Sequence, residues 1–269
     1  MLSTKQNATI AAGACEIPAI YTEGAGGRAA LMAHGLQGDK NEYKDTLAHL
    51  ADRLEAAGTA SLRIDFRGHG DSARPLTEFS LATQIQDLAA AVRWLAERGH
   101  TELTLFGYSF GAPPTLALAC LYPEHARRCV LLSPVTDYRT SFVEPNTPWN
   151  REHFGRERLL AGIRDGGIQL EAGYTLSPAA LTEMLLCDIP ALARAAACPI
   201  AIFHGDCDRY VAHADSEALC RQGGHIRLHT MPQTGHGPTD FATDSMDSAI
   251  ALRNLADIAA ALLGEAPQA

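Results

Sequence analysis

Leu103-Thr104-Leu105-Phe106-Gly107-Tyr108-Ser109-Phe110-Gly111 is the stretch that decides how this chain is read. An apolar run enters a Gly-x-Ser-x-Gly pentapeptide, and Ala112 with Leu116-Ala117-Leu118-Ala119 continues it with helical character. A strand, a sharp turn and a helix in that order lift a serine hydroxyl to the tip of the turn. A Gly-rich strand-to-helix turn can also be purely structural or cradle a phosphate. This segment lacks the G-x-G-x-x-G spacing of the phosphate cradle and sits in mid-chain, so Ser109 is read as a nucleophile.

Working outward, Ala8–Gly13 and Cys15–Tyr21 read as an opening hairpin, and Arg28–Ala33 as an apolar strand ending at His34-Gly35. Leu47, Leu50, Leu54 and Ala57 repeat at helical spacing and Gly58 stops them. Ala60–Phe66 is the next strand. Ser80 opens a helix with an apolar face of Leu81, Ile85, Leu88, Val92 and Leu95. Thr115–Leu121 lies in the helix after Ser109, and Cys129–Leu132 is a strand. Alternation stops across 133–197, where Pro134, Pro145, Pro148, Pro178 and Pro190 fall and Ser177 looks like the cap of a helix over Pro178–Leu186. It resumes with a strand at Pro199–Phe203, a helix at Ala214–Cys220, a strand at His225–Thr230 and a last helix at Met246–Leu263. Such alternation implies an α/β domain with a mostly parallel sheet of about eight strands and helices on both faces. Residues 1–269 read as a single domain, with 133–197 a small lid or cap inserted in it.

Composition narrows the function classes. The 269 residues carry a formal net charge of −9, and neutralising a polyanion takes clustered Lys and Arg, so no nucleic-acid partner is expected. The densest charged run, Arg151 to Arg158, alternates in sign and reads as a solvated face. The N-terminal Met1-Leu2-Ser3-Thr4-Lys5-Gln6-Asn7-Ala8 lacks the pattern of a signal peptide, and no run approaches a membrane span. Seven scattered cysteines without C-x-x-C read as reduced core thiols, and a cytoplasmic location is expected. The 11 histidines show no H-x-x-E-H pattern, so neither a metal nor another cofactor is expected.

Ligands of open parallel sheets bind where strands end at their carboxyl edge. Here those ends carry His34-Gly35, Gly107-Tyr108-Ser109 and His204-Gly205-Asp206-Cys207-Asp208, and the loop after the last strand carries Thr234-Gly235-His236-Gly237. Nucleophile, acid and base thus come in the order Ser, Asp, His. A serine needs an adjacent base, and a carboxylate fixes the base's tautomer and stabilises its charged form. His236 is preferred over His225 and His229, which fall in a strand-like run. Asp208 is preferred over Asp206 because it lies further into the loop; Asp206 reads as a turn-ordering residue. The backbone N–H groups of Phe110 and Leu36 are the candidate oxyanion donors, with Gly35 allowing close approach. The polar loop Asp65 to Ser72 reads as a structural turn in which Arg67 and Asp71 bond nearby backbone.

Together His34-Gly35-Leu36-Gln37-Gly38, Asp65-Phe66-Arg67-Gly68-His69-Gly70-Asp71-Ser72, Gly107-Tyr108-Ser109-Phe110-Gly111, His204 to Val211 and Gly235-His236 resemble the α/β-hydrolase family of serine hydrolases. The resemblance implies that fold, a triad of Ser109, Asp208 and His236, and an oxyanion hole at Leu36 and Phe110. His34-Gly35-Leu36-Gln37-Gly38-Asp39-Lys40-Asn41-Glu42 further resembles the His-Gly-Phe-x-Gly-Asn-Lys-x-Glu stretch of cinnamoyl (feruloyl) esterases, with Leu36 in place of the usual aromatic and Phe110 in place of a common Gln.

The expected reaction is hydrolysis of an acyl or aryl carboxylic ester through an acyl-Ser109 intermediate. A biosynthetic thioesterase or acyltransferase on the same fold is the alternative, and a non-catalytic ligand-binding protein a remote one. The partner is then a small ester or thioester, with a homodimer possible. His34, Tyr108, Tyr138, Phe142, Trp149 and Tyr174 are the candidate substrate-binding residues; with Phe154, those from 133–197 either roof Ser109 or pack that segment onto the sheet. Few charged residues there read as dedicated to a pocket, which favours an uncharged acyl group.

Overall fold

A computed structural model describes residues 5–171 and 173–265; residues 1–4 of the N-terminal stretch read above lie outside them. The elements are β1 (Lys5–Ala12), β2 (Cys15–Thr22), β3 (Arg28–Ala33), α1 (Thr46–Ala56), β4 (Ala60–Ile64), α2 (Leu81–Ala96), β5 (Glu102–Tyr108) and α3 (Ala112–Leu121). They continue with β6 (Ala126–Leu132), α4 (Pro148–His153), α5 (Arg156–Asp165), β7 (Ile168–Glu171), β8 (Tyr174–Leu176), α6 (Pro178–Leu186) and α7 (Ile189–Ala195). The last are β9 (Ile200–Gly205), α8 (His213–Cys220), β10 (Ile226–Met231) and α9 (Ala249–Leu263).

The main sheet has eight strands in the order β1-β2-β4-β3-β5-β6-β9-β10. β1 and β2 run antiparallel, and the six strands from β4 to β10 are mutually parallel. Successive side chains of a strand point to opposite faces, so a strand covered on both faces reads as unbroken apolar sequence. β3 shows this: Ala29, Leu31 and Ala33 join the core on one face, while Ala30 and Met32 join that on the other. Leu47, Leu50 and Leu54 of α1 and Leu255, Ile258 and Leu262 of α9 cover the second face. Leu88, Val92 and Leu95 of α2 and Leu116 and Leu118 of α3 cover the first. Each such side chain contributes about 1.5–3 kcal/mol by leaving water.

The helix starts follow local chemistry. Ser80 and Thr83 form a reciprocal capping box on α2. Glu183 of α6 adds its carboxylate to the same helix start, accepting from the backbone N–H groups of Leu81 and Ala82. That contact ties 133–197 to the body of the fold. Ser177 caps α6 as its sequence position suggests, through Ala180 N–H. The last helix starts at Ala249, later than Met246, because Ser248 takes the cap by accepting from Ala251 N–H. Among the described residues no helix is long and apolar enough to cross a membrane.

Candidate active site

β5 delivers its last residue, Tyr108, directly into the turn at Ser109, whose φ is +51°. A non-glycine residue there is strained, and the strain is held by what surrounds it. A Cβ on Gly111 would lie 2.5 Å from the His34 carbonyl oxygen, and one on Gly107 2.8 Å from the Cα of Ala112. The two glycines therefore let α3 pack against the ends of β3 and β5, and the tight turn follows. The Ser109 carbonyl accepts from Val135 N–H, which fixes the turn from its far side.

Ser109 Oγ lies 2.9 Å from His236 Nε2, and His236 Nδ1 lies 2.7 Å from Asp208 Oδ2. His236 reaches Ser109 from the loop after β10, and Asp208 from the loop after β9. The Asp208 side chain is wholly buried and saturated with donors. Its Oδ1 accepts from the N–H groups of Tyr210 at 2.8 Å and Val211 at 3.1 Å, while His204 Nε2 stands 3.1 Å from Oδ2. His204 Nε2 also faces the Val211 carbonyl at 3.2 Å, so that nitrogen carries a proton and donates. Burial alone would raise the Asp208 carboxyl, but the charge of His236 and the two histidine hydrogen bonds outweigh it and hold it well below the usual carboxylate range. Burial alone would likewise lower His236, yet the charge and hydrogen bond of Asp208, with a smaller push from Glu42, raise it above the ordinary histidine value. Asp206, His225 and His229 are not hydrogen-bonded to this chain of groups: the His225 ring meets the Ala193 carbonyl and His229 stacks on Phe203.

The loop after β3 faces Ser109 from the opposite side. Among the described residues the N–H groups of Leu36 and Phe110 meet no acceptor. Gln37, Glu42, Lys44 and Asp45 all have φ between 52° and 64°, a concentration of strain in one loop. Glu42 pins it: one carboxylate oxygen accepts from Gly35 N–H at 2.6 Å and the other from Tyr43 N–H at 2.9 Å. Burial raises the Glu42 carboxyl, and those two hydrogen bonds act against the rise. His34 lies beneath this loop rather than in the cavity. It is wholly buried, its Nδ1 bonds the Gly35 carbonyl at 2.7 Å, and its Nε2 accepts from Phe66 N–H at 3.1 Å. Burial drives its pKa down to about 4, so it stays neutral and braces the loop.

A cavity of about 760 Å³ opens over Ser109, within the range of small-molecule sites. Leu36, Tyr108, Phe110, Phe142 and Trp149 line it, and so do Val135 and Val211. Tyr138, Phe154 and Tyr174 do not. Tyr138 is buried and stacks on Phe110 at 5.6 Å, Phe154 packs edge-on to Phe142, and the Tyr174 hydroxyl bonds His69 Nε2 at 2.9 Å. The aromatics of 133–197 thus divide between roofing the cavity and anchoring the segment. The pocket is also more charged than expected, because Asp39, Glu42, Asp244 and Arg209 enter from outside 133–197, beside Glu171 from within it. Sequence reasoning passed over His204 and Glu42 as functional groups. The available signals were a histidine at the end of β9, four residues before Asp208, and an acid in the loop after β3, seven residues after Gly35. Among the described residues no cluster of three His, Cys, Asp or Glu could hold a metal ion.

The Asp65–Ser72 turn is structural, but by a different wiring from that expected. Arg67 does not bond backbone with its guanidinium: it pairs with buried Asp87, Nε to Oδ1 at 3.0 Å. The Asp71 carboxylate binds Lys40. Asp65 is the backbone acceptor, taking the N–H groups of Lys40 at 2.7 Å and Asp71 at 2.9 Å.

Comparison with known proteins places the chain by family and fold. Residues 31–173 match a family model described as the alpha/beta hydrolase fold. The chain is similar to 2-(acetamidomethylene)succinate hydrolase of Mesorhizobium japonicum, 31% identical over 102 residues, 38% of this chain and 34% of that protein. The chain therefore spans only about a third of that relative's length. It is also similar to monoacylglycerol lipase of Mycolicibacterium smegmatis, 26% identical over 215 residues, 70% of this chain and 73% of that one. In fold it resembles Est1E from Butyrivibrio proteoclasticus, solved with ferulic acid bound, at a TM-score of 0.78 and 19% identity over 96% of this chain and 98% of that one. The chain belongs to the α/β-hydrolase family, and its fold is that of esterase-like members.

Proposed function

We propose that the protein is a serine hydrolase of carboxylic esters, with Ser109 as nucleophile, His236 as general base and acid, and Asp208 as the group that orients His236. The observation that carries this reading is the unbroken chain Ser109 Oγ–His236–Asp208, at 2.9 and 2.7 Å. Ser109 Oγ attacks the ester carbonyl carbon while its proton passes to His236 Nε2. Asp208 holds the proton on Nδ1, keeps Nε2 free to accept, and stabilises the imidazolium. The carbonyl oxygen, now negative, takes hydrogen bonds from the N–H groups of Leu36 and Phe110. Collapse of this intermediate breaks the C–O bond, and the departing alkoxide takes the proton from Nε2. Water then attacks the acyl-Ser109 carbonyl, gives a proton to His236, and the acid leaves as Ser109 regains that proton.

The apolar wall of Phe110, Val135, Phe142 and Trp149 suits the acyl part. An ester as substrate also fits the monoacylglycerol lipase among the relatives and the ferulic acid held by Est1E. The test is labelling with a fluorophosphonate followed by peptide mapping, with turnover of p-nitrophenyl butyrate beside it. Wild type is expected to carry the label on Ser109. Ser109→Ala is expected to lose it together with a factor of about 10⁶ in kcat, the scale of deleting a nucleophile. Labelling at another residue in that variant would overturn the assignment.

A further inference from the structure

The exposed aromatic side chains of this molecule are not scattered. Among the described residues seven large hydrophobic side chains are exposed, and three of them, Tyr43, Tyr210 and Phe241, line the one cavity over Ser109. All three stand beside His236. The Tyr210 ring is 5.3 Å from the imidazole. A Cβ on Gly237 would lie 3.8 Å from Tyr43 Cδ1, and one on Gly235 3.5 Å from Phe241 Cδ2. The rings are held in place: the Tyr43 hydroxyl donates to Asp244 Oδ2 at 2.5 Å, Arg209 lies over Phe241 at 4.7 Å, and Trp149 meets Tyr210 edge-on at 5.7 Å. Exposing such surface costs free energy, and its clustering at a pocket mouth marks a binding surface.

Position says what binds there. In the reaction proposed above the departing oxygen takes its proton from His236 Nε2, so the leaving group exits on the His236 side. Phe110, Val135 and Phe142 of the acyl wall belong to other segments, and Trp149, edge-on to Tyr210, stands where the two surfaces meet. Four carboxylates, Asp39, Glu42, Glu171 and Asp244, line the cavity against two cations, Lys44, which is paired with Asp244, and Arg209, which keeps its charge over Phe241, so acids remain in excess. Fixed negative charge at a partly desolvated mouth disfavours an anion.

We propose that Tyr43, Tyr210 and Phe241 form a leaving-group subsite for an uncharged planar ring, so that this hydrolase prefers esters of neutral phenols to those of small alkanols and of anionic alcohols. The inference rests on the ester-hydrolase reading of Ser109. It also bears on polyanionic leaving groups such as coenzyme A, which the same rim disfavours.

Three butyrate esters test it: those of 2-naphthol, ethanol and 6-hydroxynaphthalene-2-sulfonate. Each kcat/KM is divided by the hydroxide-catalysed rate of the same ester, which removes intrinsic reactivity. The wild-type protein is expected to favour the naphthyl over the ethyl ester by about tenfold, the scale of one or two ring-on-ring contacts. The sulfonate is expected to lose that advantage and to regain part of it at high salt, which screens charge. Tyr43→Ala and Phe241→Ala, singly and together, are expected to lower the naphthyl-to-ethyl ratio toward one. A wild-type ratio near one, an unmoved ratio in both variants, or a sulfonate as good as the naphthyl ester would overturn the subsite. Fluorescence binding of 2-naphthol to Ser109→Ala separates the two claims. Naphthol bound without turnover of any ester by wild type would refute the hydrolase reading and keep the subsite, whereas ethyl butyrate turnover without naphthol binding would refute the subsite alone.

Discussion

Asp208→Asn isolates what the acid does for the base. The carboxylate receives four donors: His236 and His204 on Oδ2, and the N–H groups of Tyr210 and Val211 on Oδ1. An amide has one oxygen and one NH₂. The two backbone N–H groups cannot turn away, so the amide oxygen takes the Oδ1 place and the NH₂ faces His236 Nδ1. That nitrogen must then accept, which moves the ring proton to Nε2, against Ser109 Oγ. The nucleophile loses its base while its position barely changes. Losing the correct tautomer in this way costs about 10⁴-fold in kcat, or about 5.4 kcal/mol at 1.36 kcal/mol per tenfold. Turnover of p-nitrophenyl butyrate across pH 5–10, with folding checked by circular dichroism, is the assay. Asp206→Asn, whose side chain lies outside this network, is the control and is expected to keep most of the activity. An Asp208→Asn variant that retains a tenth of wild-type kcat, or an Asp206→Asn variant that loses as much as Asp208→Asn does, would show that Asp208 does not set the tautomer of His236.

Three further outcomes follow from the same contacts. Because Asp208 and Glu42 outweigh burial and raise His236, and because protonated His236 cannot accept from Ser109, kcat/KM is expected to climb with pH through a midpoint above 6.5; a Glu42→Gln variant should move that midpoint down, and a pH–rate profile reads both. Glu42→Ala releases Gly35 N–H and with it the strained loop that presents Leu36, so kcat is expected to fall about 10²-fold with little change in KM, the scale of losing one oxyanion donor. Arg67→Ala leaves the buried Asp87 carboxylate unpaired and is expected to cost about 3–5 kcal/mol in urea unfolding, whereas Arg74→Ala, which breaks a solvent-screened pair with Glu78, should leave the unfolding midpoint nearly where it was.

Much of this was legible in the chain because the physics was local. β3 was readable to the residue, since burial on both faces makes Ala29–Ala33 an unbroken apolar run, bounded by the exposed Arg28 and by His34-Gly35. Ser177 announced α6 because a cap bonds only three residues ahead. Ser109, Asp208 and His236, which the fold brings into one hydrogen-bonded chain, could be singled out because each follows a strand's carboxyl end, where the fold collects its polar groups. What escaped was long-range. Arg67 looked like a turn residue, and its partner Asp87 lies on the buried face of α2, 20 residues on. His34 sat beside Leu36 in the loop after β3, but its side chain turns inward to the Gly35 carbonyl and Phe66 N–H. Tyr138 and Trp149 are alike as aromatics in a proline-rich segment; only packing decides that one stacks beneath Phe110 and the other reaches the cavity. The charge of the mouth arrives from loops more than 100 residues apart, as in the Tyr43–Asp244 hydrogen bond, and no window of sequence contains it.

The proposed reaction passes through a covalent acyl group on Ser109. Rapid mixing with p-nitrophenyl butyrate, an acid quench and intact-mass analysis with peptide mapping test it directly. The expected result is a burst of p-nitrophenol matched by one butyryl group on the peptide that holds Ser109, with neither seen in Ser109→Ala. A butyryl group on any other residue, or hydrolysis of the ester by Ser109→Ala at the wild-type rate, would contradict it.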